Sequence, residues 1–153
     1  MRAPAFLLVL TVAGCGGPPP ASQPPLENRP MPAQPEPERI TVQHILVSFA
    51  GTRTDATRSK PEAEKLAGEV LARVNKGEDF GAVMKQLSDD PGPGVYSMFN
   101  HGQAKKSGDE YERSGMVPAF GDVGFKLAVG GIAMAPFDPK SSPFGWHIIK
   151  RLK

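Results

Sequence analysis

The sequence predicts an α+β fold in one domain, and three observations carry that expectation. A run rich in β-branched residues, Ile40 to Phe49, opens the globular part, and an alternating run, Phe144 to Ile149, closes it. Between them, apolar residues recur at three and four positions, the spacing of a helix face. The chain's 153 residues leave room for one core only. Two strands far apart in sequence with helices between them are expected to be sheet neighbours, which would bring His44 and His147 together at the centre of the sheet.

Taken in order, Ile40 to Phe49 is the first strand and residues 50–60 a polar loop. Pro61 fits the first turn of a helix in which Ala63, Leu66, Ala67, Val70, Leu71 and Val74 share a stripe, and Gly77 stops it. Asp79 caps a second, shorter helix carrying Phe80, Val83, Met84 and Leu87 on one face, broken by Asp90-Pro91-Gly92-Pro93-Gly94. Tyr96 to Phe99 is a short strand and residues 102–115 a charged loop. Pro118 to Ala128 is a third helix, ended by Gly130-Gly131. In the closing strand Trp146 and His147 point to opposite faces.

Proline is unevenly spread. Ten of the 17 prolines lie in residues 1–38 and seven in 39–153. Residues 1–14 read as an export signal: Arg2, then an apolar stretch from Ala5 to Ala13 that is about half the ~20 residues of a membrane span. Val12-Ala13-Gly14-Cys15 resembles the bacterial lipobox, which implies cleavage before Cys15 and a diacylated thiol as membrane anchor. Gly16 in place of Asp favours the outer membrane over the inner one. Residues 15–38 form a lipidated, proline-rich tether too poor in aliphatic side chains to bury a core. As polyproline II at ~3.1 Å per residue it reaches about 70 Å.

The charge balance excludes some function classes. A net charge of +2, with only small Lys and Arg clusters, argues against nucleic acid as a partner. One cysteine excludes an internal disulfide and a multi-cysteine metal centre.

Gln43-His44-Ile45-Leu46-Val47, Asp79-Phe80, Leu87-Ser88-Asp89-Asp90, Gly115-Met116-Val117-Pro118-Ala119-Phe120 and Phe144-Gly145-Trp146-His147-Ile148-Ile149 follow one another through residues 39–153. In order and spacing these five motifs resemble those of the parvulin-type peptidyl-prolyl isomerases. The resemblance implies a small antiparallel sheet of about four strands surrounded by helices, and an isomerase domain over 39–153. It implies that His44, His147 and Asp90 are the catalytic residues. It also implies that Met116 and Phe120 form the proline pocket, with Tyr96 where an aliphatic residue is usual and Ser142 and Phe144 at the rim. Residues 103–114 look like an insertion. Arg53 lies near where phosphate-reading members carry basic residues, but three cations in a loop (Arg53, Arg58, Lys60) are ordinary solvated charges, and no phosphate specificity is expected.

The implied reaction is rotation about X-Pro bonds in exported or envelope proteins, without covalent chemistry, cofactor or metal, by a monomer. A catalytically weak module that holds unfolded clients in the same groove is the rival function. At single positions the residues also admit plainer roles. His44 and His147 serve equally as sheet-binding residues, Asp90 as a turn residue before Pro91, and Met116 with Phe120 as core.

Overall fold

The opening strand of the sequence, β1 (Arg39–Val47), is the centre of the sheet. The structure, a computed structural model, describes residues 35–153. The signal segment, Cys15 and the tether up to residue 34 lie outside the described residues. After β1 come α1 (Lys60–Asn75), α2 (Phe80–Leu87), β2 (Val95–Phe99), β3 (Glu110–Glu112) and a 3-10 turn at Arg113–Gly115. The chain continues through α3 (Pro118–Lys126), β4 (Ile132–Ala135) and β5 (Trp146–Arg151). Sheet order is β3-β2-β1-β5-β4.

The α+β class is as expected, and the terminal strands β1 and β5 do pair, antiparallel. The sheet is larger than the expected four antiparallel strands. It has five, and β3 joins β2 in parallel. β3 arises inside the loop predicted for 102–115, and β4 follows a third helix that ends at Lys126 rather than Ala128.

Strand alternation divides the sheet into two differently used faces. Ile45, Val47, Trp146 and Ile148 point to one side, where Ala63, Ala67, Val70 and Val74 of α1 and Phe80 and Val83 of α2 cover them. Ile40, Val42, Met98 and Ile149 point to the other, beneath Phe120 and Phe125 of α3. His44, Tyr96 and His147 share this second face by the same alternation.

Local signals hold the helices in place. Ser59 begins α1 with a capping box: its Oγ accepts from the Glu62 amide, and Glu62 Oε2 accepts from the Ser59 amide at 2.7 Å. Asp79 caps α2 by accepting from the Ala82 amide at 2.8 Å, as its place in the sequence predicts. Residues 36–38, assigned to the tether from sequence, are fixed to the domain. The Asn100 amide donates to Glu38 O at 2.8 Å, Asn100 Nδ2 donates to Pro37 O at 3.1 Å, and Arg113 pairs with Glu36 at 2.5 Å.

Candidate active site

The site starts at the β1–β5 pair. In its register His44 faces Ile149 and Leu46 faces His147, so the two histidines are diagonal neighbours on one face. Their rings stack at 5.4 Å, with the Nδ1 atoms 3.3 Å apart. Both residues are buried. The expectation that pairing of the terminal strands would join them is met.

Asp90 is brought to His44 by a loop pinned along β1. The Asp89 amide donates to Leu46 O at 2.8 Å, the Leu46 amide donates to Ser88 Oγ at 3.1 Å, and the Asp89 carboxylate receives the Ser48 amide and the Arg58 guanidinium. Arg58 is therefore a structural cation. The adjacent Asp90 reaches inward, with Oδ2 2.7 Å from His44 Nε2 and Oδ1 accepting from the Gly92 amide at 3.0 Å. Tyr96 Oη donates to the same Oδ2 at 2.9 Å. A β-carbon at residue 92 would lie 2.5 Å from that hydroxyl, so glycine is the residue that lets loop and tyrosine meet. Gly145 has a comparable task before His147. Its φ of +140° is outside the range of other residues, and a β-carbon there would strike Val47 O.

The result is a chain of polar groups, Tyr96–Asp90–His44–His147. The hydrogen bond from His44 holds the Asp90 carboxyl well below the usual carboxylate range, with the Gly92 amide and Tyr96 hydroxyl adding to it against the cost of burial. Burial, and then the hydrogen bond to Asp90 and its charge, push the Tyr96 hydroxyl above its ordinary range, so it stays a donor. Burial, and then His44, lower His147 to about 3 despite the opposing charge of Asp90, which keeps its imidazole neutral. An ionised Asp90 only accepts, so His44 Nε2 carries a proton. A proton between the two facing Nδ1 atoms joins His44 to His147. His147 Nε2 is buried with no partner among the described residues.

Beside this chain lies a cavity of about 310 Å³, lined mainly by apolar side chains that include Leu46, Tyr96, Met116, Phe120 and Phe144. Phe120, 2% exposed, is at once its wall and a member of the α3 core. Its ring meets those of His44, His147 and Tyr96 edge-on at 5.0, 5.5 and 6.0 Å. Its two sequence readings, pocket and core, are therefore compatible.

The structure thus gathers His44, Asp90, His147, Tyr96, Met116, Phe120 and Phe144 at one cavity. Ser142 is not among them. It is fully buried, and its hydroxyl donates to Gly145 O at 2.8 Å, tying the turn before β5. Arg53, set aside in the sequence reading as a solvated charge, lines the cavity together with Thr54. Its signal was its loop position directly after β1; composition carried none.

A central histidine pair, a carboxylate and an apolar cavity under one helix thus meet on one face of the sheet. The chain belongs to the family of the PPIC-type PPIase domain, whose family model matches residues 29–153. It is similar to the foldase protein PrsA 4 of Bacillus cereus, 36% identical over 115 residues, covering 73% of this chain and 31% of that protein. It is also similar to the chaperone SurA of Pseudomonas aeruginosa, 34% identical over 127 residues, covering 83% of this chain and 26% of that protein. Foldase protein PrsA of Geobacillus kaustophilus is 39% identical over 89 residues, 57% of this chain and 27% of that protein. In these alignments the chain spans less than a third of each relative's length.

Proposed function

We propose that the chain is a peptidyl-prolyl cis-trans isomerase acting on X-Pro bonds of exported polypeptides in the bacterial envelope. The observation that carries this reading is the Tyr96–Asp90–His44–His147 chain along an apolar cavity walled by Met116 and Phe120. Family membership supports it.

The barrier to be lowered, ~18–20 kcal/mol, is the loss of amide resonance on rotation. Resonance puts partial negative charge on the carbonyl oxygen and partial positive charge on nitrogen, and both diminish as the bond twists. An ionised carboxylate near that oxygen therefore raises the planar form more than the twisted one. Asp90, kept ionised by its donors, has the required charge. Met116 and Phe120 grip the ring so that rotation takes place about the X-Pro bond, and each ~1.4 kcal/mol of preference for the twisted amide gives about tenfold in rate. His44 and His147 orient the carboxylate, and no covalent bond is needed.

On this reading the export signal, a lipidated Cys15 and the tether hold the activity at a membrane surface, the outer membrane for preference, and the lipobox-like Val12-Ala13-Gly14-Cys15 supports it. The domain then faces folding clients as a monomer on a leash. A protease-coupled assay with a proline peptide tests the enzymatic reading. The purified chain is expected to accelerate isomerisation and Asp90→Ala to lose most of that acceleration while keeping its circular dichroism spectrum. No acceleration at micromolar protein would end the reading.

One observation favours a second reading, a client-holding module: relatives of this domain include proteins named as chaperones. Under it, Asp90→Ala still suppresses aggregation of an unfolded client after its isomerase activity is gone. Joint loss of both effects would leave isomerisation as the function.

A further inference from the structure

The segment between Gly102 and the pocket motif, expected from the sequence to be an insertion, does more than lengthen a loop. It contributes β3, the outermost strand on one side of the sheet, next to the Tyr96 strand β2. Parallel pairing sets Tyr111 opposite Met98, so its side chain leaves the sheet on the same face as Met98 and Tyr96. The two tyrosine rings meet edge to face at 5.7 Å. Tyr96 in turn lies against Phe120 and lines the cavity. The aromatic surface of the pocket thus continues outward by one ring, and that ring is 48% exposed. An ion pair between Glu110 and Arg39 of β1, at 3.2 Å, ties the strand that carries it to the sheet.

We infer that Tyr111 forms a subsite for an aromatic or long apolar side chain two residues away from the client's proline. This deepens the proposed function and rests on it. In an extended peptide, side chains on the same side recur every second residue, at ~6.5–7 Å. With the proline ring against Phe120 and Tyr96, the residue two positions along is the one whose side chain can lie over Tyr111, whereas the residue next to proline points away. Glu110 and Glu112, its neighbours in β3, alternate to the opposite face of the sheet, and Glu110 is paired with Arg39, so what Tyr111 offers on its own face is ring contact area. A tyrosine fixed by only two side-chain torsions loses little freedom on binding. Edge-to-face aromatic contacts add attraction beyond area burial.

The test uses the purified chain and short blocked peptides with a single proline, each carrying Phe or Ala at one of the two positions before or the two after it. Affinity is read by chemical-shift titration. Phe at one of the positions two residues from proline is expected to bind about fivefold more tightly than Ala, and Phe next to proline within about twofold of Ala. Tyr111→Ala and Tyr111→Gln bring the favoured ratio to about one, and Tyr111→Phe preserves it. Thermal melts accompany each variant, and either of the two shortened variants suffices. A preference that survives both substitutions, or that is absent from the parent chain, overturns the subsite. Turnover on the all-Ala peptide is measured in parallel. A chain that binds with the stated preference but does not accelerate isomerisation sinks the isomerase reading and upholds the subsite, and binding of no peptide overturns both.

Discussion

Tyr96 and His44 place their protons on a single oxygen of Asp90, at 2.9 and 2.7 Å. A carboxylate oxygen that accepts from two directions in a half-buried site is held both in position and in charge. Tyr96 lines the cavity with its ring and turns its hydroxyl to the carboxylate, an aromatic wall with a polar tip.

Tyr96→Phe isolates that tip. The ring contacts with His44 and Phe120 stay, and only the hydroxyl is removed. The Asp90 carboxyl is expected to titrate at a higher pH than in the parent, because one of the bonds that favour its charged form is gone. A loss of about 1 kcal/mol of positioning corresponds to roughly a fivefold fall in kcat. Carbon-detected titration of the carboxyl and peptide turnover are the two measurements. An unchanged Asp90 titration would show that the hydroxyl has no electrostatic part.

His147 gives a pH dependence of stability with a defined sign. Its folded-state value, about 3, lies below the ~6.5 of an unfolded histidine. Protonation therefore favours the unfolded chain. The stability linked to neutral His147 is fully present above about pH 6.5 and lost as pH falls from there towards 3, by at most about 1.4 kcal/mol per pH unit. Asp90, also lowered, adds a second loss only below the ~3.9 of an unfolded aspartate. Melting temperatures of the parent are expected to drop between pH 6.5 and 4. His147→Phe, with nothing to protonate there, should show a flatter profile in that window. Parallel profiles would remove His147 as the cause.

Much of this was legible in the chain because the relevant signals were long or local. β1 and β5 carry β-branched runs, α1 has a complete 3.6-residue stripe, and Asp79 caps α2 as its position demands. β3 was not legible, since Glu110-Tyr111-Glu112 has no apolar alternation and becomes a strand only by pairing with β2. β4 is four residues of small and apolar side chains beside two glycines, too short to separate from a loop. Ser142 was assigned by motif position, and position does not fix what a hydroxyl bonds: it donates to Gly145 O in the turn before β5, and the residue is not in the cavity lining. Arg53 is exposed, as a solvated loop charge is, and that it also lines the cavity depends on the folded path of the loop, which no local signal gives.

Phe120 couples pocket to core, and its truncation should show both effects. The side chain is buried among Ile40, Val42, Met98 and Phe125 while forming the cavity wall. Phe120→Ala is expected to cost about 3–5 kcal/mol of stability through lost contacts and the space left behind. It is also expected to raise KM for proline peptides. Phe120→Leu, which fills more of the space, should recover most of the stability and less of the binding. Denaturant unfolding and steady-state kinetics on both variants separate the two. Recovery of binding in step with stability would make Phe120 core alone.

The last prediction concerns Cys15, in the segment that precedes the described residues. A lipobox ending at Cys15 requires the thiol as acceptor for the diacylglyceryl group, and cleavage follows acylation, so the mature chain would start at Cys15 with its acyl chains buried in the bilayer. Each buried methylene contributes ~0.8 kcal/mol, which makes several chains a stable anchor where a single one is marginal. Cys15→Ser removes the nucleophile and nothing that the domain uses. Residues 35–153 hold the whole of the polar chain and cavity, so turnover of the purified variant should equal that of the parent. In cells the variant should accumulate as uncleaved precursor or leave the detergent-extracted membrane fraction. Mass spectrometry of the N-terminal peptide reads the outcome directly. A parent chain with an unmodified Cys15, or one that begins at another residue, would replace the lipid anchor with ordinary secretion and leave the domain free in its compartment.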